Sequence, residues 1–188
     1  TDSSKIIFWI DGIFGSVVTG YKKIPGRDII SNLVLPKEIK NIYLCGNDSE
    51  IQKNFLKKKF DKPIKLIKIP FIVDYKDIKK INGEYENDSV ILINIATPKQ
   101  EILAKRILQN NLNKKLFIFC LGGGISMACG EEKPAPKIFY IMNLEWLWRL
   151  KEKTFIRLKR LIFTFILSFP KLMVNKYLKE FKLLKYIK

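Results

Sequence analysis

The chain has 188 residues, enough for one domain with a sizeable core and an appendage. Its 47% apolar content excludes a disordered chain, and 35 Lys and Arg against 18 Asp and Glu leave a formal charge of +17. That excess calls for an anionic partner (nucleic acid, anionic lipid or phosphorylated substrate), while the absence of histidine excludes Ser–His and Cys–His nucleophilic machinery and most zinc sites.

In chain order, "KIIFWI" at 5–10 reads as a buried strand, followed by "DGIFGSVV" and a Pro-Gly break at 25–26. "RDIISNLVL" at 27–35 is a short helix. "NIYLC" at 41–45 is a second strand ended by Gly46, and Asn47, Asp48 or Ser49 can cap the helix "EIQKNFLKKKF". "IKLIKI" is a third strand stopped by Pro70, and "YKDIKKI" at 75–81 is helical. "VILINIA" at 90–96 is a fourth strand. Pro98 suits the first position of the helix behind it, where a missing N–H costs nothing. "KLFIFCLGGG" is a fifth strand ending in three glycines. Strands alternating with helices predict a parallel sheet with right-handed crossovers, and near-continuous apolar strands predict that both faces are covered. The fold class is therefore α/β: a Rossmann-like parallel sheet with helices on both faces, occupying residues 1–136.

From 137 onward no strand pattern recurs. "KIFYIMNLEWLWRLKEK" and 154–188 read as helices, giving a basic helical C-terminal region over 137–188. The last 38 residues hold eleven Lys and Arg and two acids, interleaved with apolar residues. Pro170 is expected to kink or break that helix. The longest apolar run, "LIFTFILSFP" at 161–170, is too short to span a bilayer. The N-terminus lacks the basic region and cleavage site of a signal peptide. Cys45, Cys120 and Cys129 have no paired spacing, as expected of free thiols in a reducing compartment.

Several strand ends carry residues that packing does not require. Asp11 and Gly12 follow the first strand, and Gly46 and Asn47 the second. Thr97, Gln100 and Glu101 follow the fourth, and Gly122, Gly123 and Gly124 the fifth. In a parallel sheet such ends share one edge, where helix starts and glycine turns favour phosphate. Each has a plainer reading: Asp11 as a helix cap or turn former, Gly46 as a tight turn, Gln100 and Glu101 as solvated first-turn residues, and Glu145 and Arg149 as an i,i+4 surface pair beside packing residues Leu144, Trp146, Leu147 and Leu150. The dinucleotide fingerprint GxGxxG is absent.

The order "DGIFGSVV", "IPGRDII", "IYLCGNDSEI", "INIATPKQE", "LGGGISMACGEEKPAPK" and "NLEWLWRL" resembles the WecG/TagA/CpsF glycosyltransferases, family 26, over about 3–170. "PKQE" and "LEWLWRL" are its most specific parts. The resemblance implies an inverting, metal-independent transferase without a cofactor. It would move a sugar of the N-acetylmannosamine type from a UDP-sugar to a polyprenyl-diphosphate-linked acceptor, feeding teichoic acid, common antigen or capsule. It makes Asp11 the general base, places Gln100 in the nucleotide-sugar pocket, and lays Gly46 and 122–124 against the nucleotide. Arg149, Arg157 and Arg160 become anion contacts, and Glu145 an orienter of Arg149 or a sugar contact. The family's Arg-Ala-Pro is Lys133-Pro134-Ala135-Pro136 here, with Pro134 at the Arg position, so the anion contact there is either lost or passed to Lys133. Members also carry a further N-terminal segment before the Asp-Gly element. A catalytically inactive nucleotide-binding or partner-assisting module is the alternative.

The basic, aromatic-rich tail is expected to lie in an anionic membrane interface, on the cytoplasmic face of a bacterial plasma membrane. Its other use is packing on its own domain or on a neighbouring subunit of a homo-oligomer. Nucleic acid is not the expected partner, because the charge sits on an apolar-rich tail and not on a stacking surface or recognition helix.

Overall fold

The computed structural model describes residues 20–47, 49–69, 83–133, 135–142 and 144–150, with the single positions 7, 9, 16, 81, 162, 166, 170 and 174. The chain forms two compact units, one of Pro25–Lys133 and one of Thr1–Ile24 with Pro134–Lys188.

The Pro25–Lys133 unit alternates helices and strands: α1 (Gly26–Asn32), β1 (Asn41–Gly46), α2 (Glu50–Phe60), β2 (Ile64–Lys68), β3 (Ser89–Asn94), α3 (Lys99–Asn110), β4 (Leu116–Cys120) and α4 (Gly124–Ala128). All four strands are parallel, in the order β2-β1-β3-β4. The fold is α/β and Rossmann-like. The chain steps from β1 outward to β2, returns across β1 to β3, and continues to β4. The direction of growth thus reverses between β1 and β3, and the last residues of these two strands, Gly46 and Asn94, are register partners.

Every residue of β1 is buried, as are the first five of β3, because helices cover both faces. Successive side chains alternate between the faces. Tyr43, Cys45, Ile91 and Ile93 cluster with Leu103 and Ile107 of α3 on one face. Ile42, Leu44, Val90 and Leu92 point to the other, which right-handed crossovers assign to α2. Full burial of each such aliphatic side chain stabilises by about 1.5–3 kcal/mol.

Helix α2 starts because the Ser49 hydroxyl accepts the Gln52 N–H at 3.3 Å. Glu50 in its first turn and Lys57, Lys58 and Lys59 in its last complement the helix dipole. It ends at Asp61, which takes a left-handed backbone (φ 49°) and returns its N–H to the Lys57 carbonyl. Helices α1 and α4 touch through glycines. A Cβ on Gly124 would lie 2.7 Å from the Gly26 carbonyl carbon, and one on Gly26 would lie 2.7 Å from the Leu121 carbonyl oxygen.

Three expectations shift. The helix expected over 27–35 ends at Asn32, with Leu33 extended; Pro36 further disfavours helical backbone at Leu35, the residue before it. Pro98 is the N-cap of α3 instead of its first helical residue. The helix expected from 137 divides into α5 (Lys137–Ile141) and α6 (Glu145–Leu150), where the Leu144 N–H reaches back five residues to the Phe139 carbonyl. Of the strand expected at 5–10 only Ile7 and Trp9 are described; neither is in a strand, and Ile7 is exposed. The helix expected at 75–81 lies outside the described residues save Ile81. Pro170 itself is helical.

Candidate active site

The reversal between β1 and β3 puts the ends of these strands side by side at the carboxyl edge of the sheet, where doubly wound folds hold ligands. Gly46 and Asn94 are those ends, and their backbones approach closely: a Cβ on Gly46 would meet the Asn94 carbonyl oxygen at 3.0 Å. Polar side chains from four segments meet here. The Asn94 amide Nδ2 donates to Gln52 Oε1 at 2.6 Å. Gln52 Nε2 donates to Ser126 Oγ at 3.0 Å and to Glu131 Oε2. Ser49 Oγ donates to Glu131 Oε1 at 2.7 Å. Gln52 is only 2% exposed, and Ser49 and Ser126 are buried too.

Glu131 is the one charge in this cluster, and its side chain reaches solvent. Burial, the largest single influence, pushes its carboxyl upward. The hydrogen bonds from Gln52, Ser49 and Ser126 together outweigh that push and hold it below the ordinary carboxylate value. One atom is left over: Asn94 Oδ1 is buried and has no partner among the described residues.

The exits of β3 and β4 are tied together by Gln100. Its Oε1 accepts the Gly122 N–H at 2.9 Å, while its Nε2 donates to Thr97 Oγ1 and Glu101 Oε1, both at 2.9 Å. Thr97 Oγ1 donates to Glu101 Oε1 at 3.1 Å. Gln100 is buried, whereas Thr97 and Glu101 are exposed. The amide thus fixes the turn after β3 against the left-handed turn at Gly122 (φ 54°).

A model of the Glycosyl transferase WecG/TagA/CpsF family matches residues 3–182, nearly the whole chain. The protein belongs to this family. No curated protein and no solved structure matches it significantly. Membership makes it a glycosyltransferase with a role in cell-surface polysaccharide synthesis, acting on a sugar donor and an acceptor.

In the transferase, Gly46, Thr97, Gln100, Glu101, Gly122, Gly123 and Gly124 all stand along the carboxyl edge of β1, β3 and β4. Asn47 follows Gly46 and is exposed; Gly123 caps α4, and Gly124 is buried against Gly26. Lys133 is exposed at the end of the same unit. Asp11, Gly12, Arg157 and Arg160 lie outside the described residues, as does the side chain of Arg149, whose backbone is in α6. Glu145 binds a cation that sequence spacing did not indicate: its Oε2 accepts from Lys23 Nζ at 2.8 Å, within the unit of the two chain ends. Leu147 does not pack as expected but is 44% exposed. Trp148 instead meets Phe139, ring centroids 5.4 Å apart.

Gln52, Asn94, Ser126 and Glu131 were not singled out from the sequence. Two left a signal. Asn94 interrupts the apolar run "VILINIA", and Gln52 stands four residues before Leu56 on the buried stripe of α2. The thiols do not offer a nucleophile: burial pushes Cys45 to about 12, and burial with the nearby Glu101 charge pushes Cys120 to about 12. Among the described residues no group of three His, Cys, Asp or Glu side chains could hold a metal ion.

Proposed function

We propose that this transferase inverts the anomeric centre without a metal. Its donor is a UDP-sugar of the N-acetylmannosamine type or a related one, and its acceptor is a polyprenyl-diphosphate-linked hydroxyl compound. The observation that carries the reading is the gathering of polar groups at the β1/β3 reversal of a chain belonging to this family. The acceptor oxygen attacks C1 from the face opposite the leaving group. The C1–O bond to the diphosphate breaks, the UDP departs with that electron pair, and Asp11 takes the acceptor proton. The departing charge is met by the Gly123 N–H, the Gly122 and Gly124 N–H groups being given to Gln100 Oε1 and the Leu121 carbonyl, and by Lys133, Arg149, Arg157 and Arg160. Gln100 holds the turn lining the nucleotide-sugar pocket.

UDP release from several UDP-sugars, with a lipid-diphosphate acceptor mimic, tests this. Asp11→Asn is expected to lower turnover by roughly 10²–10⁴-fold. Equal turnover in both proteins removes Asp11 as base. UDP binding without turnover in either favours an inactive nucleotide-binding module.

The same reading places the transferase peripherally on the cytoplasmic face of a bacterial plasma membrane, with 137–188 as the associating region. No helix among the described residues is long and apolar enough to cross a bilayer. Ile162, Ile166 and Val174 have helical backbone, recur at multiples of four, and are exposed. Each Lys or Arg of the tail near an anionic leaflet contributes about 1 kcal/mol. Co-sedimentation with anionic liposomes should therefore fall when 151–188 is deleted; undiminished binding refutes the placement, and loss of self-association instead makes the tail a subunit contact.

A further inference from the structure

We infer that Glu131, with Ser49, Gln52 and Asn94, reads a hydroxyl of the sugar nucleotide and keeps the donor's diphosphate away from the start of α2. The inference rests on the donor reading above and assigns one part of the ligand to one part of the carboxyl edge.

The start of an eleven-residue helix after a parallel strand ordinarily attracts phosphate. Here the chain supplies its own anion. Glu131 accepts from Ser49 Oγ and from Gln52 Nε2, and Ser49 already satisfies the Gln52 backbone N–H. A phosphate at this helix start would face the Glu131 carboxylate at contact distance, two like charges in a partly buried place.

The carboxylate also sets the polarity of everything behind it. An ionised Glu131 only accepts hydrogen bonds, so Gln52 must turn its Nε2 toward it. Gln52 Oε1 then faces Asn94, which must answer with Nδ2. That choice leaves Asn94 Oδ1 as the buried acceptor without a partner among the described residues. Ser126 Oγ accepts from Gln52 and, at 3.4 Å, from Asn94, so its proton turns to Glu131. The unused valences of the cluster are therefore all acceptors: the one Glu131 lone pair left by its three protein donors, and Asn94 Oδ1. A carboxylate held by three protein donors, with one lone pair to spare, matches one ligand hydroxyl. An acceptor-only set of this kind draws O–H and N–H groups and rejects phosphate.

The nucleotide's ribose and the transferred sugar both carry hydroxyls, and calorimetric titration of the full chain distinguishes them. The probes are UDP, 2′-deoxyuridine diphosphate and a UDP-N-acetylhexosamine, each against wild type and Glu131→Gln. If the hydroxyl is the ribose 2′-OH, wild type prefers UDP to its deoxy analogue, and Glu131→Gln weakens UDP by roughly tenfold or more and erases the preference. If the hydroxyl is on the sugar, UDP and its deoxy analogue bind alike, and the substitution weakens only the UDP-sugar. Either result supports the inference. A wild-type preference that survives in Glu131→Gln overturns it. So does an equal weakening of all three ligands, which would make Glu131 merely a prop for Ser49 and Gln52. Binding of none of the three by wild type overturns the donor reading, and this inference with it.

Discussion

The two edges of the sheet are built from different polar chemistry. At the amino edge Glu86 receives Lys65 Nζ and, at 2.7 Å, Asn41 Nδ2, while its own N–H donates to the Tyr43 hydroxyl at 3.1 Å. Lys115 pairs with Asp88 at 3.6 Å and gives its N–H to Asn87 Oδ1 at 2.6 Å; Lys114 Nζ donates to the Tyr85 carbonyl at 2.6 Å. These groups are charged, mostly wet, and close the chain on itself. At the carboxyl edge the partners are amides and hydroxyls, buried, with one carboxylate at the rim and one acceptor left over. Exposed charges cost little to maintain and contribute little. Buried neutral polar groups cost much unless paired, so an unpaired acceptor there asks for a donor from outside the described chain. The difference separates an edge that holds the fold from an edge that can hold a ligand.

Substitutions can break or sharpen that contrast. Gly124→Ala should have the largest effect on stability, because its methyl group would stand 2.7 Å from backbone and neither α1 nor α4 can yield by a side-chain rotation. A loss of about 1–3 kcal/mol or more is expected in urea unfolding. Gln52→Ala should cost about 1–3 kcal/mol by leaving Asn94 Nδ2 only its 3.4 Å bond to Ser126 and removing a donor from Glu131. It should also move the Glu131 pKa upward, as read by carboxyl NMR titration; an unmoved pKa would mean that the amide does not hold the carboxylate.

Glu131 gives a smaller, pH-dependent effect. Its folded pKa lies below the ordinary 4.5, so its contribution is present above that value and is lost as pH falls through the folded pKa. The melting temperatures of wild type and Glu131→Gln should differ by a constant amount above pH 4.5 and converge in more acid solution. At the opposite edge, Glu86→Gln should leave the melting temperature unchanged within error in moderate salt, because the pair with Lys65 is solvent-exposed. A large loss there would remove the contrast between the edges.

The α/β class, the four strands from Asn41 onward and the capped helix α2 were legible in the sequence, because apolar runs between caps and turns are local signals. The family resemblance was legible for the same reason, since its motifs are contiguous. Gly124 read as part of a ligand turn, while its contact with Gly26 is a packing constraint between segments far apart in sequence. Glu145 invited pairing with Arg149 four residues on, yet Lys23 reaches it from the other end of the chain. Glu131, in the run Gly130-Glu131-Glu132, carries no local signal of the partners it meets.

The pattern of residues along the chain determined which segments are strands, which are helices, and which turns carry residues that packing does not need. It did so because backbone geometry and burial act over a few residues at a time. Tertiary structure alone decided that Ser49, Gln52, Asn94, Ser126 and Glu131 share one hydrogen-bonded cluster. The physical reason is the reversal of strand order: it brings the ends of β1 and β3 side by side and sets the donors of one loop against the acceptors of another, a pairing that no local spacing encodes.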